Sequence, residues 1–157
     1  MEIKDAVNVL KEKGRIRIKD GHGTVLELIS AQKWDASADD PEGIFLFFDI
    51  FQIRSVGEQF SEVSLDIIEY ATKPTVYHTP VNRVLKNGPL IDGTVRFAII
   101  RKDFWNKLLF AISQPVILQF PKDQSHDSST NEFFPLLSAG TKEMFLSPDG
   151  DVKIIRA

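Results

Sequence analysis

The sequence predicts one α/β domain in which helices cover a twisted, mixed β-sheet. Amphipathic helical segments alternate with short strand segments along most of the chain, and a β-hairpin pattern ends it. Residues 44–48 (IFLFF) are apolar without interruption, which is typical of a central strand covered on both faces. A chain of 157 residues favours a single domain over 1–157, large enough to bury a substantial core.

The first half of the chain predicts helices and strands in alternation. Ile3, Ala6, Val7 and Leu10 have the i, i+3, i+4, i+7 spacing of an amphipathic helix, which Gly14 ends. In residues 15–19 (RIRIK) bases alternate with isoleucines, which predicts a half-exposed strand. The remaining predictions are a turn over 20–23 (DGHG), strands over 24–29, 44–48 and 74–78, a short helix over 49–57 and a helix over 61–71.

The second half continues the alternation and ends in a hairpin. Asp103 is the predicted N-cap of a third helix, whose apolar residues share one face. The polar residues 121–132 have no periodicity, which predicts a mobile loop. The other predictions are a loop over 81–93, strands over 94–100 and 115–120, a helix over 103–113, a short apolar segment over 133–137 (FFPLL) and a hairpin over 143–155.

The composition excludes several classes of protein. There is no cysteine, so disulfides, thiolate nucleophiles and cysteine metal sites are absent. The net charge of −3 argues against a strongly basic nucleic-acid binder. No apolar run approaches the ~20 residues that a membrane helix needs, and the N-terminal residues lack the apolar core of a secretory signal. We therefore expect cytoplasmic residence and no membrane association.

Six basic residues are candidates for contact with an anion or with RNA. Strand alternation places Arg15, Arg17 and Lys19 on one face, where they form either a phosphate-binding stripe or an ordinary solvated face. The other three lie in the basic stretch that follows residue 70: Arg96, Arg101 and Lys102.

Other motifs that resemble functional sites favour structural interpretations. The glycines of residues 20–23 match no phosphate-binding pattern. The three histidines lie far apart in sequence, so no metal site is predicted. The run His126, Asp127, Ser128 has the letters of a catalytic triad, but adjacent residues do not make its geometry. Asp39, Asp40 and Glu42 are typical of a solvated turn, with a cation site as the alternative, and the two tryptophans, Trp34 and Trp105, are typical of packing anchors.

Three segments resemble the YrdC-type family of threonylcarbamoyl-adenylate synthases. DIIEYATKPTVYHTP resembles that family's helix leading into its x-P-x-T strand, GTVRFAIIRKDFWNKLLFAISQPVIL its strand, helix and "P-I-v" strand, and GDVKIIRA its closing strand. With the N-terminal helix and KGRIRIK, the resemblance spans most of the chain. It implies a YrdC-like (RibB-like) architecture and, for an active member, chemistry on ATP, threonine and bicarbonate with magnesium.

The motifs that carry this family's chemistry are not matched at the positions that align with them. The K-x-R motif before the central strand falls on Ala36, Ser37 and Ala38, and the lysine that follows it falls on Glu42. No K-x-R occurs between residues 30 and 45, and the S-x-N that follows Pro115, at Ser129, Thr130 and Asn131, lies nine residues beyond the positions aligned with that motif. The degenerate family positions are therefore Ala36, Ala38, Glu42, Ala98 (the G-x-R arginine), and Phe120 and Lys122 (the ends of the S-x-N motif).

The leading interpretation is a non-catalytic YrdC-like domain that binds or regulates an RNA or protein partner, with no catalytic residue, metal or cofactor. Loss of three or four charge-assisted phosphate contacts, at roughly 1.5–3 kcal/mol each, weakens nucleotide binding by orders of magnitude. The alternative is an L-threonylcarbamoyladenylate synthase with a rewired site, an ATP- and magnesium-dependent nucleotidyltransferase acting in tRNA threonylcarbamoyladenosine modification. A third interpretation is a structural partner subunit that uses residues 133–137 as an exposed contact.

Overall fold

A nine-stranded mixed β-sheet runs through the whole molecule. The computed structural model describes residues 1–85 and 87–157. The spatial order of the strands is β7-β1-β2-β6-β3-β5-β4-β8-β9. In chain order the strands are β1 (Arg15–Lys19), β2 (Val25–Ser30), β3 (Ile44–Phe47), β4 (Thr75–Pro80), β5 (Thr94–Ile99), β6 (Val116–Gln119), β7 (Ser128–Ser129), β8 (Lys142–Leu146) and β9 (Val152–Arg156).

In the described ranges 1–85 and 87–157, three α-helices and three 3₁₀ helices connect the strands. The α-helices are α1 (Ile3–Lys13), α2 (Glu62–Glu69) and α3 (Asp103–Ile112), and the 3₁₀ helices are Ala31–Lys33, Ile50–Ser55 and Pro135–Leu137. Gly14 ends α1 as predicted, in the left-handed region with φ 79°, and its N–H donates to the Leu10 carbonyl. No helix in the described residues is long and apolar enough to cross a membrane.

The predicted cap of α3 is wrong by one residue. Lys102 is the N-cap, with an extended backbone, and Asp103 is the first helical residue. The Asp103 carboxylate lies 3.1 Å from the Lys107 ammonium, one turn along the helix, instead of capping a backbone N–H. A carboxylate in the first turn still interacts favourably with the helix dipole, so the sequence signal was placed correctly to within one position.

The two faces of the sheet have separate cores. Helices α1 and α3 pack together over one face, on a core that includes Leu26, Leu46 and Ala98. We call this side the helix-pair face. The other side, the aromatic face, carries a cluster of rings in which Phe97 lies 5.3 Å from Tyr77 and 5.8 Å from Phe47. Residues within each strand alternate between these faces, as the pleat requires.

The prediction of a central strand over 44–48 is confirmed. Strand β3 lies between β6 and β5, antiparallel to the first and parallel to the second. Phe45 and Phe47 are fully buried on the aromatic face and Leu46 on the helix-pair face. Within the predicted loop over 81–93, Gly88 packs against this strand, since a Cβ at that position would lie 2.6 Å from the Phe45 ring. Lys86, within that loop, lies outside the described residues.

Residues 121–132 are held against the sheet, contrary to the expected mobile loop. Strand β7 within this segment pairs in parallel with β1. The Asp127 carboxylate accepts a hydrogen bond of 2.9 Å from the Arg17 backbone N–H. The absence of periodicity was misleading, because polar residues of this segment make hydrogen bonds to the backbone of strand β1 and cover its edge instead of contacting only water.

The segment 133–137 is only partly exposed. Phe134 is 1% exposed and packs edge-on against Trp105 at 5.0 Å. Phe133 is 52% exposed, and its carbonyl accepts a hydrogen bond from the Trp105 indole. The expectation of an exposed apolar contact is therefore wrong for Phe134, since Trp105 supplies the partner surface within the chain.

Candidate ligand-binding cleft

An open, polar cleft of ≈ 520 Å³ lies on the aromatic face, over strands β1, β2 and β6. Strand alternation determines its floor, since Ile16 and Ile18 point to the helix-pair face and the arginines between them point to the cleft. Pairing across the three strands sets Arg17, Glu27 and Gln119 side by side. The lining residues are Arg15, Arg17, Glu27, Ala38, Asp39, Asp40, Gln119, Phe120, Pro121 and Lys122.

A network of ion pairs and hydrogen bonds covers the floor of this cleft. The Arg17 Nε lies 3.0 Å from the Glu27 carboxylate, and the Gln119 amide donates to the other Glu27 oxygen at 2.6 Å. The Arg15 guanidinium binds both oxygens of Asp39, at 3.1 and 3.3 Å. Glu27 and Asp39 are 2% and 7% exposed. Two buried carboxylates thus neutralise the two arginines that the sequence predicted to face an anion.

The segment before β3 is docked onto the sheet by the same network. The Asp39 carboxylate also accepts a hydrogen bond of 2.7 Å from the Asp35 backbone N–H. The Gln119 side-chain oxygen accepts from the Asp40 N–H at 2.9 Å. Asp39 is therefore a buried structural anion, and the expectation of a solvated turn holds only for its exposed neighbours Asp40 and Glu42.

The environment of the Arg15–Asp39 pair stabilises both charges. Burial raises the pKa of the Asp39 carboxyl, but the hydrogen bonds from Arg15 and the Asp35 N–H, together with the charge of Arg15, outweigh burial and hold that pKa below its usual value. The hydrogen bond to Asp39 raises the pKa of Arg15 despite partial burial. Both groups are charged at neutral pH, and the pair leaves little of either charge for a ligand.

A third buried carboxylate, Asp20, organises the turn after β1. It accepts hydrogen bonds from the His22 ring at 2.6 Å and from the backbone N–H groups of His22, Thr24 and Phe134 at 3.0, 3.1 and 2.9 Å. Burial raises the pKa of the Asp20 carboxyl, but these hydrogen bonds outweigh burial and lower that pKa below its usual value. Asp20 therefore ties the predicted 20–23 turn, which the structure confirms, to the segment that follows β7.

The two lowered pKa values predict a loss of stability in acid. A carboxyl whose folded-state pKa lies below its unfolded value of about 4 stabilises the fold fully above pH 4, and this contribution is lost as the pH falls through the folded-state pKa. We expect the urea midpoint to change little between pH 7 and 5 and to fall steeply below about pH 4. An unchanged midpoint between pH 5 and 2.5 would contradict this assignment.

The six candidate bases do not form one surface. Arg15 and Arg17 lie in the cleft network, and Lys19 is exposed at the end of β1. Arg101 donates to the Ile68 carbonyl at 2.8 Å, and Lys102 donates to the Phe133 carbonyl at 2.7 Å. Arg96 lies in the middle of β5 on the helix-pair face, because Phe97 beside it belongs to the aromatic core.

Comparison with solved structures identifies the architecture. E. coli YciO superposes with a TM-score of 0.71 at 12% identity, over 98% of this chain and 87% of YciO. The chain has a YrdC-like fold. P. abyssi Sua5 complexed with L-threonine superposes with a TM-score of 0.68 at 11% identity, over 92% of this chain. Full-length HypF in its phosphate- and nucleotide-bound form superposes at 0.66 and 14% identity.

These likenesses carry the fold and not the activity. This YrdC-like domain spans 50% of the length of Sua5 and 28% of HypF. No family model and no curated protein sequence matches the chain. Proteins that share a fold at identities of 11–14% can differ in function, so the fold by itself assigns no activity to this chain.

The positions that the sequence resemblance aligns with the family motifs fall partly in the cleft of the YrdC-like domain. Ala38, Phe120 and Lys122 line it, whereas Ala36 and Glu42 are exposed in the segment before β3. Phe120 is 44% exposed and lies along the wall without filling the space. Ala98 does not belong to the cleft, since alternation along β5 points it into the helix-pair core.

Sequence reasoning missed two residues of the cleft network, Glu27 and Gln119. Glu27 and Gln119 interrupt two otherwise apolar strands, and a lone carboxylate in a buried strand requires a cationic partner. That signal was present in the letters VLELIS beside RIRIK. The pairing of Arg15 with Asp39 had no comparable signal, because 24 residues and a turn separate them in sequence.

Proposed function

We propose that this YrdC-like domain is a non-catalytic binding or regulatory module whose partner is RNA or protein and which resides in the cytoplasm. One observation carries the proposal: the arginines of the cleft are engaged by buried carboxylates of the same chain. A site that holds a nucleotide triphosphate needs excess positive charge, and here the positive charges of the arginines are already paired with carboxylates of the same chain.

The balance of charge in the cleft supports this proposal. The lining bases are Arg15, Arg17 and Lys122, and the lining acids are Glu27, Asp39 and Asp40. Arg17 is occupied further, by the Ser125 hydroxyl at 3.1 Å and the Asp123 carboxylate at 3.5 Å. To bind polyphosphate, the arginines would leave buried anions unpaired, which costs about 3–5 kcal/mol for a buried pair.

A calorimetric titration tests the absence of nucleotide binding. We expect no saturable heat when ATP with magnesium and L-threonine is added to the folded protein. The variant Glu27→Gln removes one competing charge while preserving the shape of the side chain, so we expect it to bind triphosphate more strongly than the wild type does. Because the variant removes the buried charge that pairs with Arg17, a gain in affinity would connect the absence of binding to the Glu27 carboxylate.

A second candidate function is a threonylcarbamoyl-adenylate synthase with rewired ligands. The observation in its favour is the open cleft of ≈ 520 Å³, which is lined by Lys122 and by two arginines at positions other than the family motifs. Under this proposal ATP and magnesium are required, and the ion pairs rearrange when substrate binds. Saturable ATP binding in the micromolar range would contradict the expected absence of nucleotide binding and would favour this alternative.

A further inference from the structure

Four side chains form a continuous row across strands β5, β4, β8 and β9. Strand pairing places Arg96 opposite His78, His78 opposite Phe145, and Phe145 opposite Lys153. Directly paired residues point to the same side of a sheet. The residues that alternate with them in β5, β4 and β8 belong to the aromatic core: Phe97, Tyr77 and Met144. The row, which we call the cross-strand row, therefore lies on the helix-pair face.

The cross-strand row lies toward the β9 end of this face. Helices α1 and α3 pack over β1, β2 and the central strand β3, and their core extends to Ala98 of β5. Every residue of β9 is exposed, and Ile155 beside Lys153 is 49% exposed. The His78 side chain retains 20% exposure, and Phe145 is partly exposed in the centre. The two rings and two cations are thus accessible together.

Within the part of the chain that the structure describes, no other side chain neutralises the cations of the row. Among the described residues, neither Arg96 nor Lys153 has a carboxylate within ion-pair distance or a side-chain hydrogen bond. Glu143 is an acidic residue on the same face, and its carboxylate oxygen lies 2.6 Å from the His78 Nε2. This arrangement is the reverse of the cleft, where each arginine has a carboxylate partner.

We infer that the cross-strand row binds a single-stranded nucleic acid. Adjacent strands lie about 4.8 Å apart, so the row extends roughly 14 Å from β5 to β9, with rings in the middle and a cation at each end. Unpaired bases stack on side-chain rings, and cations contact the flanking phosphates. A duplex is excluded from this mode because its bases are stacked inside. The inference rests on the proposed function, whose partner it specifies.

Binding is measured by fluorescence anisotropy with two labelled probes, a twelve-nucleotide oligouridine RNA and the matching oligothymidine DNA. We expect saturable binding of at least one probe, tighter than about 100 µM, with affinity that falls as salt rises.

Phe145→Leu preserves apolar bulk and removes the ring, and should weaken binding about tenfold. Arg96→Gln and Lys153→Gln should each weaken binding and reduce the salt slope by about one. Lys4→Gln, on the exposed side of α1, is the matched control and should change nothing.

The two probes distinguish the sources of the ligand, since binding of RNA alone assigns the row to RNA and equal binding assigns it to any single strand. Absence of saturable binding to both overturns the inference. So does binding that Phe145→Leu and Arg96→Gln leave unchanged, or a shift in sedimentation coefficient that shows the face to be an interface between two copies. The ATP titration is independent of the probe experiment. Saturable ATP binding would contradict the proposed function without bearing on the cross-strand row. Failure of both probes would overturn the row as a binding site and leave the proposed function with a different partner.

Discussion

Replacing Arg15 and Arg17 together with alanine should destabilise the domain by about 3 kcal/mol at pH 7. The two changes leave Glu27 and Asp39 buried without their cations. Removing one partner of a buried pair usually costs about 3–5 kcal/mol, and we take the low end because the arginine side chains are 37% and 28% exposed. Urea unfolding, followed by the fluorescence of the buried tryptophans, measures the change in free energy of unfolding.

The pH dependence of this double variant separates lost charge pairing from lost packing. At pH 3 the unpaired carboxyls take up protons, so the difference from the wild type should shrink. Adding Glu27→Gln and Asp39→Asn to the double variant should restore part of the stability at pH 7, since no buried charge is then unpaired. A matched pair of surface changes on α1, Lys4→Ala and Lys11→Ala, should stay within about 0.5 kcal/mol of the wild type. A double variant as stable as the wild type at pH 7 would show that the ion-pair network does not contribute to the free energy of unfolding.

Replacing Asp20 with alanine should cost about 3 kcal/mol and release the segment around β7, because an unpaired buried donor costs about 1–3 kcal/mol. The change removes the acceptor of three backbone N–H groups and of the His22 ring. The Phe134 N–H is buried, so no water replaces the lost oxygen. Hydrogen exchange at Phe134 should accelerate together with exchange in Ser128–Ser129.

The control for this change is Asp20→Asn, which retains one acceptor oxygen and the shape of the side chain. We expect it to preserve the turn after β1, where Oδ1 accepts from His22 and Thr24, and to lose the contact to Phe134, where an amide N–H₂ would face another donor. Proteolysis within residues 121–132 should therefore increase in both variants. Exchange at Phe134 that remains as slow as in the wild type would show that β7 pairing holds the segment without Asp20.

The order and kind of the elements follow from local patterns in the sequence. The spacing of Ile3, Ala6, Val7 and Leu10 and the glycine after them define α1, and the alternation in RIRIK defines both β1 and the face that its arginines take. The uninterrupted apolar run of β3 identifies the centre of the sheet. These features depend on neighbours within a few residues, which a sequence displays directly.

Which charges neutralise one another was decided only when distant strands met. Local alternation predicts that Arg15, Arg17 and Arg96 each point to one side of a strand, and it does not say what lies opposite. Strand order placed Glu27 and Asp39 beside the first two, and it placed Arg96 in a row with His78, Phe145 and Lys153. The fate of a charge depends on partners many residues away, because electrostatic interaction follows distance in space and burial rather than position along the chain.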